Sequence, residues 1–317
     1  MNISNMLNCS VMASDGGASF VDKLADIGSE LFAIIINGLS SGGIYAMIAL
    51  GYTMVYGIAK MLNFAHGDII MVGAYAIYVF MAISNPIVAI LCSIVVCLLM
   101  GVLIEKVAYK PLRGASPLAV LITAIGVSYL LQSLAQIVFG SASKVVVVYD
   151  FGALNLFGVR IQVFTLVTLA VTVVVMVALT MFVKMTRIGR AMIAVSEDKG
   201  AAQLMGINVN NIITITFAIG SSLAAVAGLF YLLKAPTVSN TLGAMPGIKA
   251  FTAAVIGGIG SIPGAMLGGL LLGFVECIAA KITVIAPYTD AIEFSILIII
   301  LLVRPTGFLG KKRREKV

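Results

Sequence analysis

The run NFAHGD holds the only histidine of the chain, His66, with Asn63 and Asp68 beside it. A histidine next to a carboxylate can relay a proton or hold a metal ion. A metal site needs three or four ligands, and no second cluster of ligating residues accompanies this one, so no bound metal is expected. An intramembrane enzyme built on His66 and Asp68 would lack a persuasive nucleophile, and no catalytic residue is assigned. The residues fit a structural or gating role better. Asn63 is placed to cap the helix that follows, and its neighbours to satisfy backbone groups at a helix break. Three carboxylates lie in or beside apolar runs, where an unpaired charge is costly. Glu105 adjoins Lys106 at the end of a run, where water reaches it. Glu276 and Glu293 lie deeper; ion coupling is one account of them, and neutralisation by Lys249 or Lys281, or exposure at the outer interface, is the simpler one.

These residues sit on long apolar stretches. Hydrophobic residues make up 61% of the chain, charged residues 10%, and the mean hydropathy is +1.13. A soluble domain carries roughly a quarter charged residues. About 20 apolar residues span the ~30 Å hydrocarbon layer as a helix, and lipid obliges every backbone polar group to be paired internally. The chain therefore reads as an all-α, polytopic membrane protein of about 8–9 spans. Their positions are Leu31–Tyr56, Asn63–Ile83, Pro86–Ile104, Leu118–Phe139, Ile161–Val183, Asn211–Leu233, Gly247–Gly260, Ile262–Ala280 and Tyr288–Val303.

Basic residues recur in alternate loops: Lys106, Lys110 and Arg113; then Lys184, Arg187, Arg190 and Lys199; then Arg304 and the tail Lys311–Lys316. The positive-inside rule accounts for the net charge of +7 without nucleic acid and puts these loops in the cytoplasm. Residues 1–30 then form an extracytoplasmic extension, 31–310 one transmembrane domain and 311–317 a basic cytoplasmic tail. Met1–Glu30 lacks the pattern of a signal peptide, so the first span serves as its own insertion signal. Cys92, Cys97 and Cys277 lie in apolar runs as small packing residues, and Cys9 lies in the extension; the four show no metal or disulfide spacing.

With this orientation the chain must return inward through Thr237–Gly260, which is too short and Gly-rich for an ordinary span. A broken or re-entrant helix is expected there. A weak repeat sets Asn63–Tyr75 against Gly257–Gly269, each ahead of a span with a basic, Pro-containing exit. Small residues recur at helical spacing: Gly260, Gly264 and Gly268; Gly269 and Gly273; Gly220, Ala224 and Gly228; Gly38 and Gly42. Such stripes let helix backbones touch. Pro263 is expected to interrupt its helix. Gly257, Gly258, Gly260, Ser261 and Gly264, together with Asn63, His66, Gly67 and Asp68, are the candidates for lining or gating a translocation path. The polar loop Thr186–Asn210 should contain a short helix, Glu197–Met205, with Ser196 as N-cap and Gly206 as its stop. Its apolar Ala201, Ala202, Leu204 and Met205 need cover from a membrane or a partner's groove.

Three segments resemble permeases of branched-chain amino acid ABC importers, of the LivH type. They are NGLSSGGIYAMIALGYTMVYGIAKMLNFAHGD (Asn37–Asp68), TRIGRAMIAVSEDKGAAQLMGI (Thr186–Ile207) and KAFTAAVIGGIGSIPGAMLGGLLLGFVE (Lys249–Glu276). The resemblance implies a multi-pass inner-membrane subunit of a bacterial importer. Its implied partners are a second, LivM-like permease, two cytoplasmic ATPases that use ATP and Mg, and an extracytoplasmic solute-binding protein. It also implies that 186–206 is the loop that receives the ATPases, with Arg187, Gly189, Arg190, Glu197, Asp198, Ala201, Ala202, Leu204, Met205 and Gly206 at the contact. The family's E-A-A-x-x-x-G pattern has Gly200 in place of its acidic residue, which leaves Glu197 or Asp198 to supply a carboxylate. No G-x-x-x-x-G-K-[ST] phosphate loop occurs, so the energy source lies in another subunit or an ion gradient. Leucine, isoleucine and valine, or a small solute such as urea or an amide, are the substrates to be weighed. An ion-coupled carrier or channel using Asp68, Glu276 or Glu293 is the rival reading.

Overall fold

The computed structural model describes residues 20–146, 152–156 and 159–310. The extension before residue 20, Cys9 and the tail 311–317 lie outside them. Eleven α-helices follow in order among the described residues: α1 (Phe20–Ala59), α2 (His66–Met81), α3 (Pro86–Ile104), α4 (Pro117–Phe139), α5 (Val163–Met185), α6 (Arg187–Glu197), α7 (Lys199–Leu204), α8 (Val209–Lys234), α9 (Ala244–Gly257), α10 (Ile262–Lys281) and α11 (Thr289–Val303). Seven helical stretches are long and apolar enough to cross a membrane, while α2 and α9 are shorter apolar helices. Two small antiparallel ribbons, Lys144–Val145 with Thr237–Val238 and Ala153–Leu156 with Val159–Gln162, complete the loops.

The fold consists of two halves with exchanged roles. Helix α1 packs on α9 and α10 of the second half, and α8 packs on α2 and α3 of the first. Within the halves, α2 lies on α3 and α4 as α9 lies on α10 and α11. Thus α1–α4 matches α8–α11, and the counterpart of the half-length α2 is the half-length α9. The register that sets Asn63–Tyr75 against Gly257–Gly269 pairs α2 with α10 instead, and the contacts correct it. Apolar similarity among hydrophobic segments cannot distinguish the two registers; backbone interruptions can.

Glycine governs the central contact, because apolar side chains gain little from association inside lipid and close packing must supply the attraction. A Cβ on Gly273 would lie 2.1 Å from the Gly42 nitrogen, and one on Gly269 2.4 Å from the Ala46 Cα. The α1–α10 seam is therefore a backbone-to-backbone contact. Gly220 and Gly228 of α8 similarly admit Val55 of α1 and Ile70 of α2. Gly260 departs from the expected stripe: it lies in the turn before α10 with φ 96°. Pro263 occupies the first turn of α10, where its missing amide is harmless, so it starts that helix rather than interrupting it.

One end of the molecule gathers the basic loops. There Lys199 reaches the end of α1, Arg113 reaches Asn210 at the start of α8, and Gly258 packs against Gly310 after α11. Helix α9 returns the chain to this basic end, as the charge pattern requires.

Candidate functional site

Two interrupted crossings face each other. Helix α1 ends at Ala59, Lys60 adopts φ 60°, and the backbone stays non-helical until His66. On the other side, 239–243 precede α9. A Cβ on Gly67 would meet the Gly243 carbonyl oxygen at 2.5 Å, and one on Gly243 would meet Gly67 O at 2.0 Å. The half-helices therefore abut at their N-termini, where unpaired amides and the helix dipoles concentrate positive potential. Tyr52 packs edge-on to His66, centroids 4.7 Å apart, and to Phe251 at 5.9 Å.

The polar residues of the first break are buried and separately engaged. Asn63 does not cap α2; Ala65 holds that position without a side-chain bond. Asn63 Oδ1 instead accepts from the Tyr109 hydroxyl at 2.8 Å, across from the single π-helical turn Glu105–Tyr109 that ends α3. The wider π turn rotates Tyr109 toward the break, a recurrent use of such turns. His66 fills the space over Gly51, and Asp68 accepts from Gln132 Nε2 of α4 at 2.9 Å. Among the described residues no group of three or more His, Cys, Asp or Glu is placed to hold a metal ion. Glu105 is fully buried, not hydrated: it is ion-paired with Arg113 and accepts from Thr214 at 2.7 Å.

Gly257, Gly258, Gly260, Ser261 and Gly264 lie at the far end of α9, away from the Gly67–Gly243 contact. Ser261 caps α10, accepting from the Gly264 amide at 3.2 Å. Phe308 and Leu309 donate their amides to the carbonyls of Ile256 and Gly257, so the segment after α11 seals the end of α9. Asn63 approaches this group through a small cavity also lined by Tyr56, Phe251 and Ile259.

A charge cluster on the second half was only partly legible. Lys249 of α9 lies 2.8 Å from Asp290, 3.3 Å from Glu293 and 3.4 Å from Glu276. Lys234 adds a contact to Glu276 at 3.9 Å, and Tyr45 donates to Glu276 at 3.0 Å. Lys249 is thus the neutralising residue; Lys281 pairs with Glu30 instead. Asp290, half-exposed at the start of the last span, gave no sign in the sequence of needing a buried partner.

The loop 186–210 folds as two helices. Thr186 caps α6, accepting from Gly189 N at 2.9 Å, and Asp198 caps α7, accepting from Gly200 N and Ala201 N at 2.8 and 3.0 Å. Ser196 is therefore not the N-cap; its hydroxyl donates to Ile193 O. Asp198 is oriented by this capping, and Glu197 is exposed. Gly206 ends the element at φ 81°. Gly189 and Ala202 face inward, while Arg187, Arg190 and Ala201 are exposed. Leu204 and Met205 project outward, 91% and 82% exposed. Lys199 Nζ donates to the Ala59 carbonyl at 3.0 Å, joining this surface to the first break. Burial lowers the Lys199 pKa below the ordinary lysine value, and the Arg113 charge adds to the effect.

Matched halves with half-length helices meeting end to end are an arrangement of membrane transport proteins, and the molecule is a multi-pass membrane permease by class. Residues 34–301 match the family described as branched-chain amino acid transport system / permease component. The chain is 45% identical over 298 residues to the high-affinity branched-chain amino acid transport system permease protein BraD of Pseudomonas aeruginosa, covering 89% of this chain and 97% of that protein. It is 41% identical to the corresponding protein LivH of Escherichia coli K12, covering 89% and 96%. A probable LivH of Methanocaldococcus jannaschii is 29% identical over 90% of this chain and 94% of its own length. The chain belongs to the branched-chain amino acid transport permease family.

Proposed function

We propose that this protein is the transmembrane subunit of an ATP-driven importer of leucine, isoleucine and valine, working by alternating access in a bacterial cytoplasmic membrane. Residues 31–310 form the permease domain, and 186–206 its cytoplasmic coupling element. The implied partners are a second LivM-like permease, two ATPases that bind ATP and Mg, and an external binding protein. The carrying observation is the exposed apolar pair Leu204 and Met205 at the tip of α7, on an element whose Lys199 holds the end of α1. Two large apolar side chains at a water-facing tip suit insertion into a partner's groove. Movement there would reach Asn63–Asp68 through Ala59, while Gly257–Gly264 would anchor the far end of α9. ATP binding by the partners would then shift the balance of inward- and outward-open packings by differential affinity.

The test is reconstitution. The complete complex should accumulate leucine only with ATP and ATPases present. Leu204→Asp with Met205→Asp should abolish ATPase co-purification while the two permeases remain paired. Leucine uptake by the permeases alone, or unchanged co-purification, would refute the reading.

A further inference from the structure

Helix α4 uses one face to pack against α2 and the π-helical turn, and its buried residues there are Val120, Ala124, Leu131 and Ala135. Ile122, Gly126, Tyr129, Ser133 and Gln136 lie on the opposite face, and all five are exposed. Their spacing of four, three, four and three residues is that of a seam between two long helices lying side by side. Small residues alternate along it with larger ones, which lets spanning helices approach closely. The seam runs about 20 Å along α4, most of the hydrocarbon depth.

Two independent observations distinguish this face from one that meets lipid. Among the described residues, Gly126 is the one glycine of the seven spans whose added Cβ would meet nothing within 4 Å. Gly42, Gly220 and Gly269 each admit a neighbouring helix instead. A glycine inside a helix weakens it relative to alanine, and close packing is what compensates. The second observation is Tyr129, 66% exposed at the midpoint of the 23-residue helix. Its hydroxyl makes no hydrogen bond to a described residue, and lipid at that depth offers none. Tyrosine belongs at the membrane surfaces rather than at mid-bilayer. The other outer spans keep such groups hidden. Helix α5 turns Thr165, Thr168 and Thr172 inward, and α11, the counterpart of α4, exposes only isoleucine, leucine and valine beyond Ser295.

We propose that this seam is the contact with the second permease subunit. Its occupant is a membrane-spanning helix of that subunit, with a close backbone approach at Gly126 and Ser133 and a hydrogen-bonding group opposite Tyr129. A loop or a helix lying in the interface would not cover 20 Å of depth, and an acyl chain would leave the Tyr129 hydroxyl unanswered. The proposal rests on the importer reading, whose ATPases are cytoplasmic and whose binding protein is external; the second permease is its remaining membrane-embedded partner. Because α4 also holds Asp68 through Gln132, the same helix joins the subunit contact to the first break.

The test uses the full-length chain, tagged, co-expressed with the second permease and purified in detergent. Gly126→Trp fills space that is empty in the single chain, so thermal unfolding of the chain purified alone should match wild type. Recovery of the second permease with it should fall at least tenfold. Val174→Trp, on the exposed apolar face of α5, should recover the partner as wild type does. Cross-linking keeps the idea testable if Gly126→Trp does not fold. Ser133→Cys, in a chain whose native cysteines are alanine, is oxidised in membranes against single cysteines placed along the spans of the second permease. It should form a disulfide with one of those spans at least tenfold more efficiently than Ile299→Cys on α11 does. Undiminished partner recovery with Gly126→Trp, equal loss with Val174→Trp, or cross-links solely between two copies of this chain would overturn the proposal. A wild-type complex that pairs in this way but moves no leucine on ATP would instead remove the import reading, a distinct result.

Discussion

Lys199 offers the sharpest test of how the exposed surface communicates with the break. Its ammonium donates to the carbonyl of Ala59, the last residue of α1, at 3.0 Å. A hydrogen bond to a charged group contributes about 1.5–3 kcal/mol when well buried. Lys199 is only partly buried, so roughly 1 kcal/mol is the appropriate scale, about fivefold in an equilibrium. Methionine retains most of the aliphatic stem and lacks the donor. Lys199→Met should therefore leave ATPase co-purification and ATP hydrolysis intact while leucine moved per ATP falls about fivefold. Lys199→Arg, which keeps a charged donor, should recover more than half of that loss. Parallel measurements of uptake and phosphate release in proteoliposomes decide the matter. An unchanged ratio would show that the Ala59 bond carries no coupling. Loss of the ATPases would place Lys199 in the partner contact instead.

Other perturbations test the frame. Gly273→Ala puts a Cβ 2.1 Å from the Gly42 nitrogen, and the backbone there cannot yield as a side-chain tip would. Thermal unfolding in detergent should show a loss of about 1–3 kcal/mol or more; an unaltered transition would mean the α1–α10 seam is looser than described. Lys249→Met leaves Glu276, Glu293 and Asp290 without their central cation and should cost about 3–5 kcal/mol. Adding Glu293→Gln should restore part of that stability, and failure to do so would contradict a charge-based origin. Tyr109→Phe strips the donor from buried Asn63 and should destabilise by about 1–3 kcal/mol in the same assay, against no change if water replaces the hydroxyl.

The spans were legible because the bilayer imposes length and apolarity on every crossing; the starts expected at Pro86 and Ile262 are kept, and α4 begins one residue before the expected Leu118. The polar pieces were less legible. Asn63 and Ser196 are good cap residues by type, yet their side chains are occupied by Tyr109 and Ile193, and Ala65 and Asp198 hold the cap positions. Residue type states which bonds a side chain can make, whereas geometry selects among partners. Glu105 next to Lys106 resembles a hydrated pair in the linear chain; the π turn and Arg113 turn it inward. Gln132, the partner of Asp68, stands 64 positions away with nothing local to mark it.

From the chain alone came the membrane habitat, the gathering of basic residues in alternate loops, the need for a return through Thr237–Gly260 and the glycine stripes, since each follows from local composition and period. Folding decided that α2 and α9 are counterparts meeting at Gly67 and Gly243, that Lys249 gathers three carboxylates, and that Asp68 is buried against Gln132 of α4. Those outcomes depend on contacts between residues far apart in sequence, and in a uniformly apolar chain hydropathy carries almost no information about which helix lies beside which.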